Sequence, residues 1–183
     1  MIAPLRRQLP NAPRLALAAA ILLLLVGCFT SEGEVFSASD AELVPGLEGQ
    51  YNASDAALTL FRVPETNEYR FILSPKDEKP SSGFFRAMRL GATLVLVAAH
   101  LDTDPPKRFD HLLFNLTMSA DRVATIQGME VNEAAAKAEA RRLGVRIEGA
   151  TLIGSKPALM RFLMGLGGLP LTPNPKAVFS RAE

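Results

Sequence analysis

Strand patterns follow one another from Leu58 to Val131, and no helical period interrupts them. Leu112, Phe114, Leu116 and Met118 alternate with Leu113, Asn115, Thr117 and Ser119, the pattern of a strand with one face in a core and one in water. Ala120-Asp121 turns the chain and Val123 to Val131 brings it back. Upstream, Leu58 to Val63 and Tyr69, Phe71 and Leu73 form two more alternating runs around the turn residues Pro64-Glu65-Thr66-Asn67. Ser74 to Gly83 reads as a loop or an extended hairpin tip. Phe84 to Leu90 and Thr93 to Ala99 pair across Gly91-Ala92 as a hairpin. Its second arm, Leu94 to Ala99, is apolar on both faces, which predicts cover on both sides.

Helix chemistry arrives only after the strands. Asn132 suits an N-cap, Ala134 to Leu143 are strong helix formers, and Gly144 supplies a stop. Val145 to Glu148 and Thr151 to Ile153 flank Gly149-Ala150 as a small hairpin. Ser155 opens a second helix with Leu159, Phe162, Leu163 and Leu166 on one side, and Ala177 to Ser180 adds a closing strand. The order predicts an α+β domain of six to eight antiparallel strands in a barrel-like, lipocalin-like sheet, with two C-terminal helices packed on it. Gly49-Gln50-Tyr51 opens that barrel, the glycine allowing a close turn and the aromatic plugging one end.

The 183-residue chain has one cysteine, so no internal disulfide is available and the core alone must hold the domain. That cysteine ends the run Leu25-Val26-Gly27-Cys28, behind an apolar stretch from Leu15 to Val26 that follows Arg6, Arg7 and Arg14. The stretch falls short of the roughly 18–20 apolar residues that span a bilayer, but it suits a secretory signal. Its end resembles a bacterial lipobox. The resemblance implies cleavage between Gly27 and Cys28, palmitate or another acyl chain on Cys28, and anchorage to a membrane. Residues 1–27 are then a signal peptide, 28–46 a flexible tether of small, polar and acidic residues, and 47–183 one globular domain. Phe29 after the cysteine, in place of Asp, implies the outer membrane with the domain facing the periplasm.

Loss of the signal removes three arginines and leaves seventeen basic residues against nineteen acidic ones. That balance, with no tryptophan, gives no footprint for nucleic acid. No Gly-x-Ser-x-Gly elbow is present and no catalytic residue or cofactor is assigned. Gly165-Leu166-Gly167-Gly168 follows a helix instead of opening one, so it does not make a phosphate site. His100, Asp102 and Asp104, with Asp110-His111 nearby, form the densest group of metal-ligating residue types. A solvated strand end explains the same residues. Arg86 or Arg89 turned into a barrel would meet an anionic ligand.

Several segments together resemble a group of uncharacterised β-rich bacterial lipoproteins. They are the lipobox, the Gly49-x-Tyr51 opening, Tyr69-Arg70-Phe71, Arg89-Leu90-Gly91, Leu101-Asp102, His111-Leu112-Leu113-Phe114, and Leu152-Ile153 leading to Leu159-Met160-Arg161-Phe162-Leu163. The resemblance implies a β-rich domain in which Asp102 and His111 serve the fold. Three functions stay open: a lipid-anchored module binding an envelope protein or polymer, a lipocalin-like carrier of an apolar ligand, and a small metal-dependent hydrolase.

Overall fold

The computed structural model describes residues 29–102 and 108–182. Gly27, Cys28, the rest of the signal stretch and Asp104 lie outside them. The strands are β1 (Phe29–Glu32), β2 (Gly49–Asn52), β3 (Ala56–Arg62), β4 (Glu68–Pro75), β5 (Ser81–Arg89), β6 (Leu94–Leu101), β7 (Arg108–Ser119), β8 (Arg122–Val131), β9 (Arg146–Glu148), β10 (Thr151–Ile153) and β11 (Leu171–Arg181). Two helices, α1 (Glu133–Arg142) and α2 (Lys156–Gly165), lie between β8 and β11.

Antiparallel pairing runs from β2 through β8 in chain order, then through β11 and back to β2, so eight strands close into a barrel. Closure removes the sheet edges that an open antiparallel sheet would expose. β11 is longer than the sequence suggests and changes register between Pro173 and Val178, where the prolines cannot continue the ladder. β1, β10 and β9 extend the sheet from β7 outside the barrel, β1 pairing antiparallel to β7 and parallel to β10.

Alternation divides the apolar residues into two cores. Tyr51, Leu60, Tyr69, Phe85, Val95, Val97, Leu116, Ile126 and Phe179 fill the barrel interior. Met88, Leu96, Ala98 and Leu113 face outward and are covered by Ala136 and Ala140 of α1 and Ala158, Leu159, Phe162 and Leu163 of α2. β6 lies between the two cores, which is why its residues are apolar on both faces. Asn132 caps α1 by accepting the Ala135 amide at 3.0 Å.

One boundary is corrected. Residues 29–46 are packed against the barrel and do not form a tether. Thr30 and Ser31 are buried in β1, and Val35, Phe36, Ala41, Val44 and Leu47 are all buried beyond it. Val35 and Phe36 join the outer core and Val44 and Leu47 the inner one, at spacings that follow no period of two or 3.6. Gly46 has φ +70°, and a Cβ there would come within 2.4 Å of the Asp121 carbonyl in the β7–β8 turn. The strap therefore needs glycine at this crossing.

Candidate functional site

The two ends of the barrel are built differently. At the end where the strap crosses, Tyr69 takes the Val44 amide at 2.8 Å and donates to the Val44 carbonyl at 3.1 Å. Tyr51 donates to the Leu47 carbonyl at 2.7 Å. The Nη1 of Arg181 reaches the carbonyls of Gly46 and Val123 and the Tyr51 hydroxyl, each at 3.0 Å, and its other Nη donates to Glu48. Its guanidinium carbon sits 5.4 Å from the centre of the Tyr51 ring, a cation–π geometry. Tyr69 also stacks on Phe85 at 5.0 Å. Burial pushes both tyrosine hydroxyls above their ordinary pKa, Arg181 partly opposing the effect at Tyr51. This end is closed.

The opposite end is not sealed by any of the described residues. A cavity of about 130 Å³ descends from it, walled by Phe71, Leu73, Val97, Ala99, Leu112 and Phe114 among others. Deep wall residues such as Leu60, Phe85 and Val95 are buried, while Leu58, Phe71, Leu73, Ala99 and Leu112 nearer the rim are only half-buried. Leu101 at the rim is exposed. Gly83 faces inward opposite Leu101, and the Phe71 ring lies where a Cβ on Gly83 would be, 2.8 Å from it. A Cβ there would also run into the His100 backbone carbonyl of β6, so the close approach of β5 and β6 needs glycine at this position.

Asp110 is the charged side chain of this wall. Burial raises its pKa, and Arg108, 3.2 Å away, works against the rise. Its neighbour His111 points the other way, as alternation requires, into the outer core beside Phe36. His111 is 1% exposed and its Nε2 is 2.8 Å from Ser31 Oγ. Ser31 Oγ also lies 3.0 Å from the Gly33 carbonyl, an acceptor that takes its single proton. The imidazole therefore donates through Nε2 and leaves Nδ1 unprotonated and without a partner. Burial pushes its pKa down to about 4.

Of the residues that the sequence suggested as metal ligands, Asp104 lies outside the described residues, and His100 and Asp102 have other partners. The His100 ring lies on the outer face of the barrel between Phe84 at 5.8 Å and Phe109 at 5.1 Å, with Nδ1 3.1 Å from the Leu101 carbonyl. Asp102 pairs with Arg70 at 3.5 Å. Among the described residues, no three His, Cys, Asp or Glu side chains gather closely enough to hold a metal ion. Arg86 lies outside the barrel and binds Glu34, Glu68 and the Phe36 carbonyl. Arg89 is 3.7 Å from Glu42 of the strap. Neither enters the cavity. Among the described residues, Arg181 turns toward the closed floor without lining the cavity, and the alternation Ala177, Phe179, Arg181 is the sequence signal for it.

The fold and its one-ended cavity define a small lipocalin-like barrel protein with two covering helices. No family model, curated protein or solved structure matches the chain.

Proposed function

We propose that this is a lipid-anchored envelope protein whose barrel binds a slim apolar ligand, or the apolar end of a larger one, through its open end. The observation that carries the reading is the half-buried apolar wall above a closed floor. A barrel meant only as a scaffold gains stability by filling its interior, and here interdigitating side chains fill the floor and stop short of the rim. A dry cavity of about 150 Å³ is enough to bind benzene in the engineered lysozyme example, so about 130 Å³ suits a few carbons. It falls below the several hundred Å³ of sites that enclose drug-sized ligands, so the remainder of a larger ligand stays outside the rim.

The anchor half of the proposal rests on Leu25-Val26-Gly27-Cys28, with acylation of Cys28 after cleavage behind Gly27 and residence in the outer membrane facing the periplasm. Binding to a protein or polymer is the less favoured reading. The exposed large apolar residues Phe61, Leu101, Met118 and Met164 sit on four different elements and make no single patch.

Titration with an environment-sensitive apolar dye, displaced by medium-chain alkanols, tests the cavity. Val97→Phe, which places a ring in the space, is expected to weaken dye and alkanol binding at least about tenfold while the protein stays folded. Equal binding by the folded variant would sink the proposal. Mass analysis of the N-terminal peptide tests Cys28 separately.

A further inference from the structure

A lipid on Cys28 has no slack. β1 begins at the next residue, and its grip is tight: the Thr30 amide donates to the Ala150 carbonyl at 2.8 Å, and Ser31 is bound to His111. The Phe29 ring packs edge-on against Phe162 of α2 at 5.3 Å. Adjacent Cα atoms are about 3.8 Å apart, so an acylated Cys28 is held within about that distance of a residue fixed in the fold. An 18-residue flexible tether would have let the domain wander by about 20–25 Å. A lipid on Cys28 would instead hold the flank of the barrel around Phe29 and α2 close to the bilayer.

The two helices differ in what they present outward. α1 shows water a charged face, with Lys137 paired to Glu133 at 2.5 Å and Arg142 to Glu139 at 2.6 Å. α2 turns Leu159, Phe162 and Leu163 inward, packs half-buried Met160 against the same core, and leaves Pro157, Arg161 and Met164 exposed on its outer side, with Lys156 at its start. It has no acidic residue, and Met164 is 41% exposed. A surface helix ordinarily sets charged and polar residues opposite its buried stripe. An outer face of an exposed methionine, a proline, an arginine and a lysine, with no carboxylate, suits the headgroup boundary of an anionic membrane, where cations meet lipid phosphate and apolar side chains enter the interface.

We propose that the outer face of α2 rests on an anionic lipid surface and, with the acyl chain on Cys28, fixes the barrel side-on to the membrane. This rests on the anchor reading given above. The test uses the acylated full-length mature protein in vesicles of phosphatidylglycerol and phosphatidylethanolamine. A nitroxide is placed at Met164→Cys or at Phe61→Cys, the latter on β3 across the barrel from β7; the native thiol is occupied by lipid. The label at position 164 is expected to be shielded from a water-soluble relaxant and broadened by a relaxant carried on lipid headgroups, and the label at 61 the reverse. Lys156→Glu with Arg161→Glu should erase the contrast. Equal aqueous access at 164 and 61 in acylated protein overturns the proposal while leaving the anchor intact. Absence of the acyl mass on Cys28 overturns the anchor reading and this orientation with it.

Discussion

The barrel closes one end with polar groups and leaves the other end to apolar ones. At the floor, two tyrosine hydroxyls and one guanidinium satisfy the backbone of the strap and of β8, so little there can move without breaking several hydrogen bonds together. At the rim, Leu58, Leu73, Ala99 and Leu112 are only half-buried by the described residues. Stability alone favours covering such residues.

The sharpest way to break the comparison is to remove the floor's cation. Arg181→Ala leaves the carbonyls of Gly46, Glu48 and Val123 without their donor and strips the Tyr51 ring of its cation. Hydrogen bonds from a charged donor contribute about 1.5–3 kcal/mol each, less when one nitrogen shares its protons, so a loss of about 4 kcal/mol is expected in urea unfolding. Arg181→Lys, with a compact charge and no fork, should recover less than half. A loss under about 1 kcal/mol would mean that the floor is not held by this residue.

The second prediction concerns acid. His111 lies on the part of β7 that carries the rim, but on its outer side. Its folded pKa of about 4 is below the ordinary 6.5, so the unfolded chain binds the proton more readily than the folded one. Stability from this residue is therefore fully present above about pH 6.5 and is lost as pH falls towards 4, at most about 3 kcal/mol. Unfolding free energy measured across that window should show the slope, and His111→Leu should flatten it. Hydrogen exchange on the same samples tests the two-ended picture: amides of β1 and the start of β7 should lose protection before those paired around Tyr51. Simultaneous loss would make the two ends one cooperative unit.

Much of this plan is legible in the sequence and some is not, for physical reasons. Strand alternation identifies the inner wall, and the two-faced run Leu94 to Ala99 announces that something covers the barrel from outside. The strap is invisible because Val35 and Phe36 enter one core and Val44 and Leu47 the other, and their spacing obeys no period. The difference between floor and rim is invisible as well. Leu60 and Leu73 are the same residue in the same alternating pattern, yet one is 4% exposed and the other stands near an opening. What separates them is how strands far apart in the chain end together. His100 and Asp102 look like ligands because chemistry-bearing residue types cluster along the chain, whereas in space Phe84, Phe109 and Arg70 occupy their surroundings.

The rim supplies the third prediction. Leu73→Ala removes a half-buried side chain, so it should cost about 1–2 kcal/mol, against about 3–4 kcal/mol for Leu60→Ala below it. Leu73→Ala should also widen the opening and speed dye exchange. Similar costs at the two positions would show that the rim is as tightly packed as the floor.

The smallest effect is expected on the outer face near the rim, where Arg70 and Asp102 pair at 3.5 Å with both side chains about half exposed. Exposed pairs contribute at most about 1 kcal/mol, and long side chains held in one geometry often contribute less. Asp102→Asn should therefore change stability by less than about 0.5 kcal/mol and leave dye binding at the opening unchanged, because the residue faces away from the cavity. The same variant decides the metal question. If His100 and Asp102 serve only the surface, zinc at micromolar excess leaves the thermal midpoint of the parent and of Asp102→Asn where it was. A zinc-dependent rise in the parent that disappears in the variant would mean that Asp102 takes part in binding the metal.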